Sequence, residues 1–238
     1  MKRVLIILVV CLCYQSAKAQ LFTKERLRNL ENFDDRFLSW GYFLGLNFYD
    51  FKFDYDSPRE DFRDVLVKEN MGFNVGLIGN MRLNNYMDLR FEPGVVFVKR
   101  GVVFPDLPQH VLEKSGNKRE VTSTYIHLPL LVKFSTKRLN NFKPFVEAGV
   151  STSINLSSNE HHPDDNYARK FRMKTNTYYW ELGFGIDLYL YYFKFTPSIR
   201  GVFAMSNELV PDHDPQSAYT DGIHKMMSRG IFLNFKFQ

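Results

Sequence analysis

The sequence predicts an all-β fold: an eight-stranded antiparallel transmembrane β-barrel with short periplasmic turns and long outer loops. Three observations predict it. In Thr177–Leu188, the large apolar residues Tyr178, Trp180, Leu182, Phe184, Ile186 and Leu188 alternate with Thr177, Tyr179, Glu181, Gly183, Gly185 and Asp187. A period of two is a strand with one apolar face. This run is about twice the usual ~5–6 residues of a soluble strand. It suits the ~9–11 residues that a strand needs to cross a bilayer. The same alternation recurs along the chain, and the connections between its occurrences alternate long and short. That sorting is expected of an outer-membrane barrel, whereas a soluble sandwich has no reason for it.

Taken in order, residues 1–19 read as a secretory signal peptide. Lys2 and Arg3 precede the apolar run Val4–Leu12, and Ala17-Lys18-Ala19 supplies a small-x-small cleavage site. Both cysteines, Cys11 and Cys13, fall inside it, so the exported chain is expected to carry no disulfide. Residues 20–38 form a charged periplasmic leader, and 39–238 form the barrel. Without Lys2, Arg3 and Lys18, the 31 basic residues become 28 against 26 acidic, a net +2. The sequence pI near 9.1 therefore makes no case for nucleic acid. No apolar run is long enough for a membrane helix. The 23 Phe and 13 Tyr suit a barrel wall with aromatic girdles.

The first strand runs from Trp40 to Tyr49, with Trp40, Tyr42, Leu44, Leu46 and Phe48 on its apolar face. A long loop leads to the second, Phe73–Arg82, and a tight Asn84-Asn85 turn to the third, Met87–Phe97. Pro105–Ser123 is a long loop before the fourth, Tyr125–Phe134, and a turn at Asn140-Asn141 introduces the fifth, Phe145–Ser151. Polar sequence from Leu156 to Lys174 precedes the sixth, described above. A reversal at Tyr189–Tyr192 gives the seventh, Phe193–Phe203, and the loop Ser206–His224 leads to the last, Gly230–Phe237. Pro93, Pro129, Pro144 and Pro197 fall inside these strands, where each removes a ladder donor, so bulges or thinned pairing are expected there.

A barrel of eight strands is just wide enough to be filled by its own side chains. The inward positions carry Arg82, Arg90, Lys133, Lys194, Arg200 and Lys236 against Asp88, Glu92, Glu147, Glu181 and Asp187. Unpaired buried charge is costly, so these groups are expected to form a structural, salt-bridged plug. Gly149, Gly183 and Gly185 are expected to make room for the long basic arms. Catalytic chemistry has one candidate. Asp164-Asp165 and Asp212-His213-Asp214 occupy two outer loops, as in a rim protease, but their Pro-flanked setting is ordinary turn chemistry. His161-His162 lacks regular metal-ligand spacing. The expectation is a non-enzymatic chain with no cofactor, no metal, no nucleic-acid partner and no small-molecule substrate.

Three stretches carry a resemblance. They are Phe33-Asp-Asp-Arg36 with Gly41-Tyr-Phe-Leu-Gly-Leu-Asn-Phe-Tyr-Asp-Phe51, then Ile126-His-Leu-Pro-Leu-Leu-Val-Lys-Phe134, then Lys143-Pro-Phe-Val-Glu-Ala-Gly149. Together they resemble the PorT family of small outer-membrane β-barrels of Bacteroidetes, the first stretch most closely its PorT/SprT-like branch. The resemblance implies a role in type IX secretion and, where present, gliding motility, with outer-membrane lipid and other secretion components, such as a large translocon barrel, as partners. It brings no catalytic motif. An even strand count places both chain ends in the periplasm. Two surfaces are then candidates for a partner: Phe22, Leu27, Leu30, Phe33 and Phe37 of the leader, and the lipid-facing aromatics Trp180 and Phe184. A generic barrel for anchoring, adhesion or ligand binding is the alternative.

Overall fold

Alternating sequence becomes a closed ring of strands in the computed structural model, which describes residues 28–55, 65–105, 107, 109–214, 217, 219–220 and 222–238. The signal peptide and the front of the leader, with Phe22 and Leu27, lie outside the described residues. The strands are β1 (Leu38–Tyr55), β2 (Leu66–Glu69), β3 (Met71–Arg82), β4 (Met87–Phe91), β5 (Gly94–Val103), β6 (Lys118–Ser135), β7 (Phe142–Asn155), β8 (Asn176–Tyr189), β9 (Lys194–Ala204) and β10 (Ile223–Phe237). A short helix α1 (Gln109–Ser115) lies between β5 and β6. All pairings are antiparallel, and β1 pairs with both β10 and β3, which closes the ring, while short β2 pairs with β5 alone.

Ten strands thus build the eight expected crossings, because two crossings are interrupted. Between β2 and β3 the register moves by one residue: Glu69 faces Arg100 whereas Phe73 faces Phe97, so Asn70 is an extra residue. Between β4 and β5 the ladder lapses at Glu92-Pro93 with no register change, since Phe91 faces Gly79 and Gly94 faces Gly76. The Leu77 N–H still donates to the Pro93 carbonyl at 2.9 Å, and the Glu92 N–H to Pro129 at 3.3 Å.

The expected bulges at proline do not occur. Pro129 faces Ser151, Pro144 faces Ile186 and Pro197 faces Phe235, all in unshifted ladders. Pairing is thinned at three of the four positions: at Pro93 and opposite Pro129, where Glu92-Pro93 leaves the ladder to β6, and opposite Pro197, where β8 and β9 do not pair at Ile186 and Asp187. In an antiparallel ladder each N–H points to one neighbour only. A proline therefore deletes one bond to one side, and the closed ring holds the strand from the other.

The side-chain alternation fixes the two faces. Trp40, Phe73, Leu77, Val150, Leu182, Phe184 and Ile231 are exposed on the outer wall, where Trp180 stacks on Phe203 with ring centroids 4.4 Å apart. Towards the long-loop end this apolar band stops at outward-facing Lys52, Lys68, Lys99, Lys118 and Arg229. Inward positions are buried and mostly polar through the band. Above it they turn apolar: Phe51, Val102, Phe104, Val111, Phe171, Met173, Leu209, Tyr219 and Met226 form one cluster beneath the long loops.

The glycines serve the neighbouring strands more than the basic arms. A Cβ on Gly149 would lie 2.1 Å from the Leu130 carbonyl oxygen, and one on Gly185 would lie 2.6 Å from the Phe145 ring. Gly183 alone adjoins a lumen arginine, with 3.1 Å from its would-be Cβ to the Cβ of Arg200. Gly149→Ala is expected to force β6 and β7 apart. The test is the temperature at which purified barrel loses its fast, folded migration on a gel, which should fall relative to Gly183→Ala.

Candidate functional site

Strand register decides which lumen charges meet. Glu147 sits opposite Lys133 across β6–β7, and Arg200 sits opposite Phe232 across β9–β10. At mid-height three carboxylates face three cations. The Lys236 ammonium donates to Glu92 at 2.7 Å and to both Glu147 oxygens at 3.1 Å. Arg200 donates to Glu92 at 2.9 Å, and Arg90 lies 3.4 Å from Glu92 and 3.6 Å from Glu147. The Arg200 Nε is 3.1 Å from Glu181 but off the N–H direction, so that contact is ionic rather than a hydrogen bond. These six residues are at most 1% exposed. Their charges cancel, which is the condition for keeping them out of water.

Below them, towards the short-turn end, Asp187 takes a close ion pair from Lys133 and a 2.7 Å hydrogen bond from the Thr196 hydroxyl. Lys133 also lies over the Phe145 ring, 4.2 Å from its centroid. Arg82 does not join this lumen network. It is the last residue of β3, at the short-turn rim, and bonds Asp35 at 3.3 Å and Asn85 at 2.5 Å. Its inward parity is right, but the strand ends there, so the side chain reaches the leader. Asp88, opposite Arg82, is likewise only half-buried at that rim.

Three buried groups escaped the charge pattern. His127 bridges Ser153 at 2.6 Å and Glu181 at 2.8 Å. Arg100 stacks on Phe51, 3.8 Å from the centroid, and donates to Tyr125 and Ser228. Glu208, in the last long loop, folds down to accept from the Ser228 hydroxyl at 2.9 Å and the Tyr179 hydroxyl at 3.3 Å. Burial pushes the Glu208 carboxyl above the usual range, opposed by the charge of Arg100 beyond Ser228. Parity would have found His127 and Arg100, because both sit on inward positions. Nothing local marks Glu208, which lies in a loop.

The long loops are more than the polar connections expected from their sequence. Arg119 is buried, donating to the carbonyls of Ser115 and, at 2.5 Å, Asn166. The two acidic loops do converge: the His213 N–H donates to Asp165 at 3.3 Å. Asp212 there is buried, accepting from the Asn166 backbone at 3.3 Å, the Asn166 side chain at 3.0 Å and the Ser217 hydroxyl. His213 meets Arg172 at 3.2 Å, and His162 turns to the Asp164 backbone. The groups that sequence paired for a water-activating role are spent on loop architecture. Among the described residues no three His, Cys, Asp or Glu side chains converge as metal ligands.

At the short-turn end the described part of the leader, from Arg28 to Phe37, lies across the barrel mouth. Arg138 anchors it, donating to the carbonyls of Leu30 at 3.1 Å and of Asn29. Tyr189 donates to Asp34 at 2.6 Å, and Asn29 donates to the Tyr189 carbonyl at 3.0 Å. Phe33 turns inward, edge-on to Tyr189 at 6.4 Å and over the Lys194 ammonium at 4.6 Å. Leu30 is half-buried, while Phe37 remains 64% exposed.

Two outcomes follow from this arrangement. Glu147→Ala should leave the mid-height layer with one excess buried positive charge, costing about 3–5 kcal/mol. Thermal or denaturant unfolding in micelles should show that loss, with Asp50→Ala, at an exposed pair on the outer wall, changing little. Reconstituted wild-type barrel should give no steady single-channel current in planar bilayers, because the paired side chains fill a narrow bore.

No curated protein matches the chain. Among solved structures, the outer membrane protein OprG from Pseudomonas aeruginosa is similar at 13% identity and a TM-score of 0.45, covering 84% of this chain and 94% of that one. The attachment invasion locus protein Ail of Yersinia pestis is similar at 11% identity and a TM-score of 0.38, covering 83% and 96%. The family model described as the outer membrane protein beta-barrel domain matches residues 15–210. The chain belongs to that outer-membrane β-barrel family.

Proposed function

We propose that this chain is a non-enzymatic outer-membrane component of a type IX secretion system, acting as an accessory or assembly factor, and of the gliding apparatus where one exists. The observation that supports an accessory role is the filled lumen. With Glu92, Glu147 and Glu181 locked to Arg90, Arg200 and Lys236, the bore offers no path to a polypeptide or solute. Action must then come from surfaces. The secretion system itself is suggested by the PorT-like stretches Gly41–Phe51, Ile126–Phe134 and Lys143–Gly149.

In this reading the short-turn end faces the periplasm, and the leader is the surface offered to the machine. Phe33 and Leu30 hold the described part of the leader on the mouth and leave Phe37 exposed to a partner, with Phe22 and Leu27, outside the described residues, proposed for the same surface. The aromatic wall around Trp180 and Phe184, 44% and 60% exposed, is a second docking surface for a larger barrel within the membrane. Deletion of residues 22–36, keeping the cleavage site, should leave barrel insertion normal and abolish secretion of many cargo proteins. Wild-type secretion in that strain would make the leader passive. An intact secretome in a strain lacking the whole chain would replace the proposal with a generic anchoring, adhesion or ligand-binding barrel.

A further inference from the structure

The mouth beneath the leader encloses a cavity of about 310 Å³ lined by Phe33–Arg36, Asn80, Arg82, Asp88, Lys137, Lys143, Asp187 and Lys194, among others. Two of its lysines stand in an unusual position. Lys143 and Lys194 are 8% and 3% exposed, yet neither ammonium has a hydrogen-bond partner among the described residues. Lys143 lies 4.0 Å from Asp34, and Lys194 lies 4.0 Å from Asp187, beyond hydrogen-bond range in both cases. Phe33 offers Lys194 a ring face and no lone pair. Three of the four carboxylates that line the cavity are already engaged, Asp34 by Tyr189, Asp187 by Lys133 and Thr196, and Asp35 by Arg82; the fourth is Asp88. An ammonium carries three donors. These two, on side chains that are otherwise buried, open onto the cavity and are available to an acceptor placed in it.

We propose that this cavity is a binding site for a small oxyanion, a phosphate or a carboxylate, held between the ammonium groups of Lys143 and Lys194. The chemistry matches in both directions. The two lysines need acceptors, and a compact oxyanion supplies several around one centre with charge-assisted bonds. Lys137, at the cavity edge, adds positive potential at the entrance. Asp88 faces the same space and limits the site to a ligand that keeps to the lysine side. The leader forms the roof through Phe33, Asp34 and Asp35, and its anchor Arg138, which also lines the cavity, donates to leader carbonyls. The inference does not depend on the secretion reading, because it uses only the mouth and its own side chains.

The experiment titrates the full mature chain in detergent micelles with inorganic phosphate and, separately, with citrate, by calorimetry. Saturable binding of at least one is expected, and the tighter of the two identifies the ligand class. Lys143→Gln and Lys194→Gln should each weaken it about tenfold, by loss of one charged donor. Retained heat-modifiable migration on a gel checks that each variant is folded. Should Lys194→Gln fail to fold, because it adjoins Asp187, Lys143→Gln decides alone. Absence of saturable binding by either probe would mean that the two ammonium groups are merely hydrated and would overturn the site. Unchanged affinity in folded Lys143→Gln would overturn it equally.

Discussion

Charge neutrality in a bore filled by its own buried side chains is the constraint on which the rest of this barrel depends. Lipid outside demands an apolar wall, and the period of two then sends every other residue inward whatever its character. Here the inward set is polar, so it must cancel itself over a few ångströms. The mid-height layer does so with Glu92, Glu147 and Glu181 against Arg90, Arg200 and Lys236, residues drawn from β5's approach, β7, β8, β4, β9 and β10. A one-residue slip of any of these strands would move its charge into lipid. Register is therefore enforced from both faces at once.

Glu92 is the point where this network and the backbone meet. It lies between β4 and β5, with Pro93 following on the outer face, and it accepts from Lys236 and Arg200 while Arg90 lies alongside. The ladder is absent there, yet the registers on either side agree. Side-chain ion pairs across the bore and the two flanking strands hold the crossing in line where its own pairing lapses. The same tolerance explains four in-strand prolines without a bulge at any of them. A ring of strands gives each backbone two neighbours, and proline weakens the bond to only one.

The barrel changes solvent along its axis, and its interior changes with it. Within the apolar band the inside is charged and the outside greasy. Beyond Lys99 and Arg229 the relation reverts to that of a water-soluble protein, with Phe51, Val102, Phe104, Met173, Leu209 and Met226 packed inside under polar loops. Between the two zones lies a belt of Tyr49, Tyr125, Tyr179 and Phe232, whose rings are apolar, and the hydroxyls of Tyr125 and Tyr179 reach Arg100 and Glu208 respectively. Amphipathic rings suit such a boundary. The filled interior continues from the mid-height charge layer to the loops, which is why function is sought at the ends and on the wall.

Strand pattern, inward and outward parity, the alternation of loop lengths and the composition of the lumen were all legible from the sequence. Each is a local consequence of side-chain period two in an extended chain. From Trp40 on β1 to Phe235 on β10, the faces read from alternation are the faces seen. What local pattern could not decide is where a strand stops and what a loop side chain meets. Arg82 has the parity of a lumen residue, but β3 ends at that position and the guanidinium turns to Asp35. Glu208, Phe171 and Met173 sit in polar loop sequence without any period, yet folding of the loops over the barrel buries them. The strand count shows the same division, since ten strands arise from eight apolar repeats through an extra residue at Asn70 and an unpaired Glu92-Pro93. Among the contacts that seat the leader and close the charge layer are pairs more than a hundred positions apart, as Asp34 with Tyr189 and Lys236 with Glu92. Only closure of the ring brings them within reach, so only the tertiary structure specifies them.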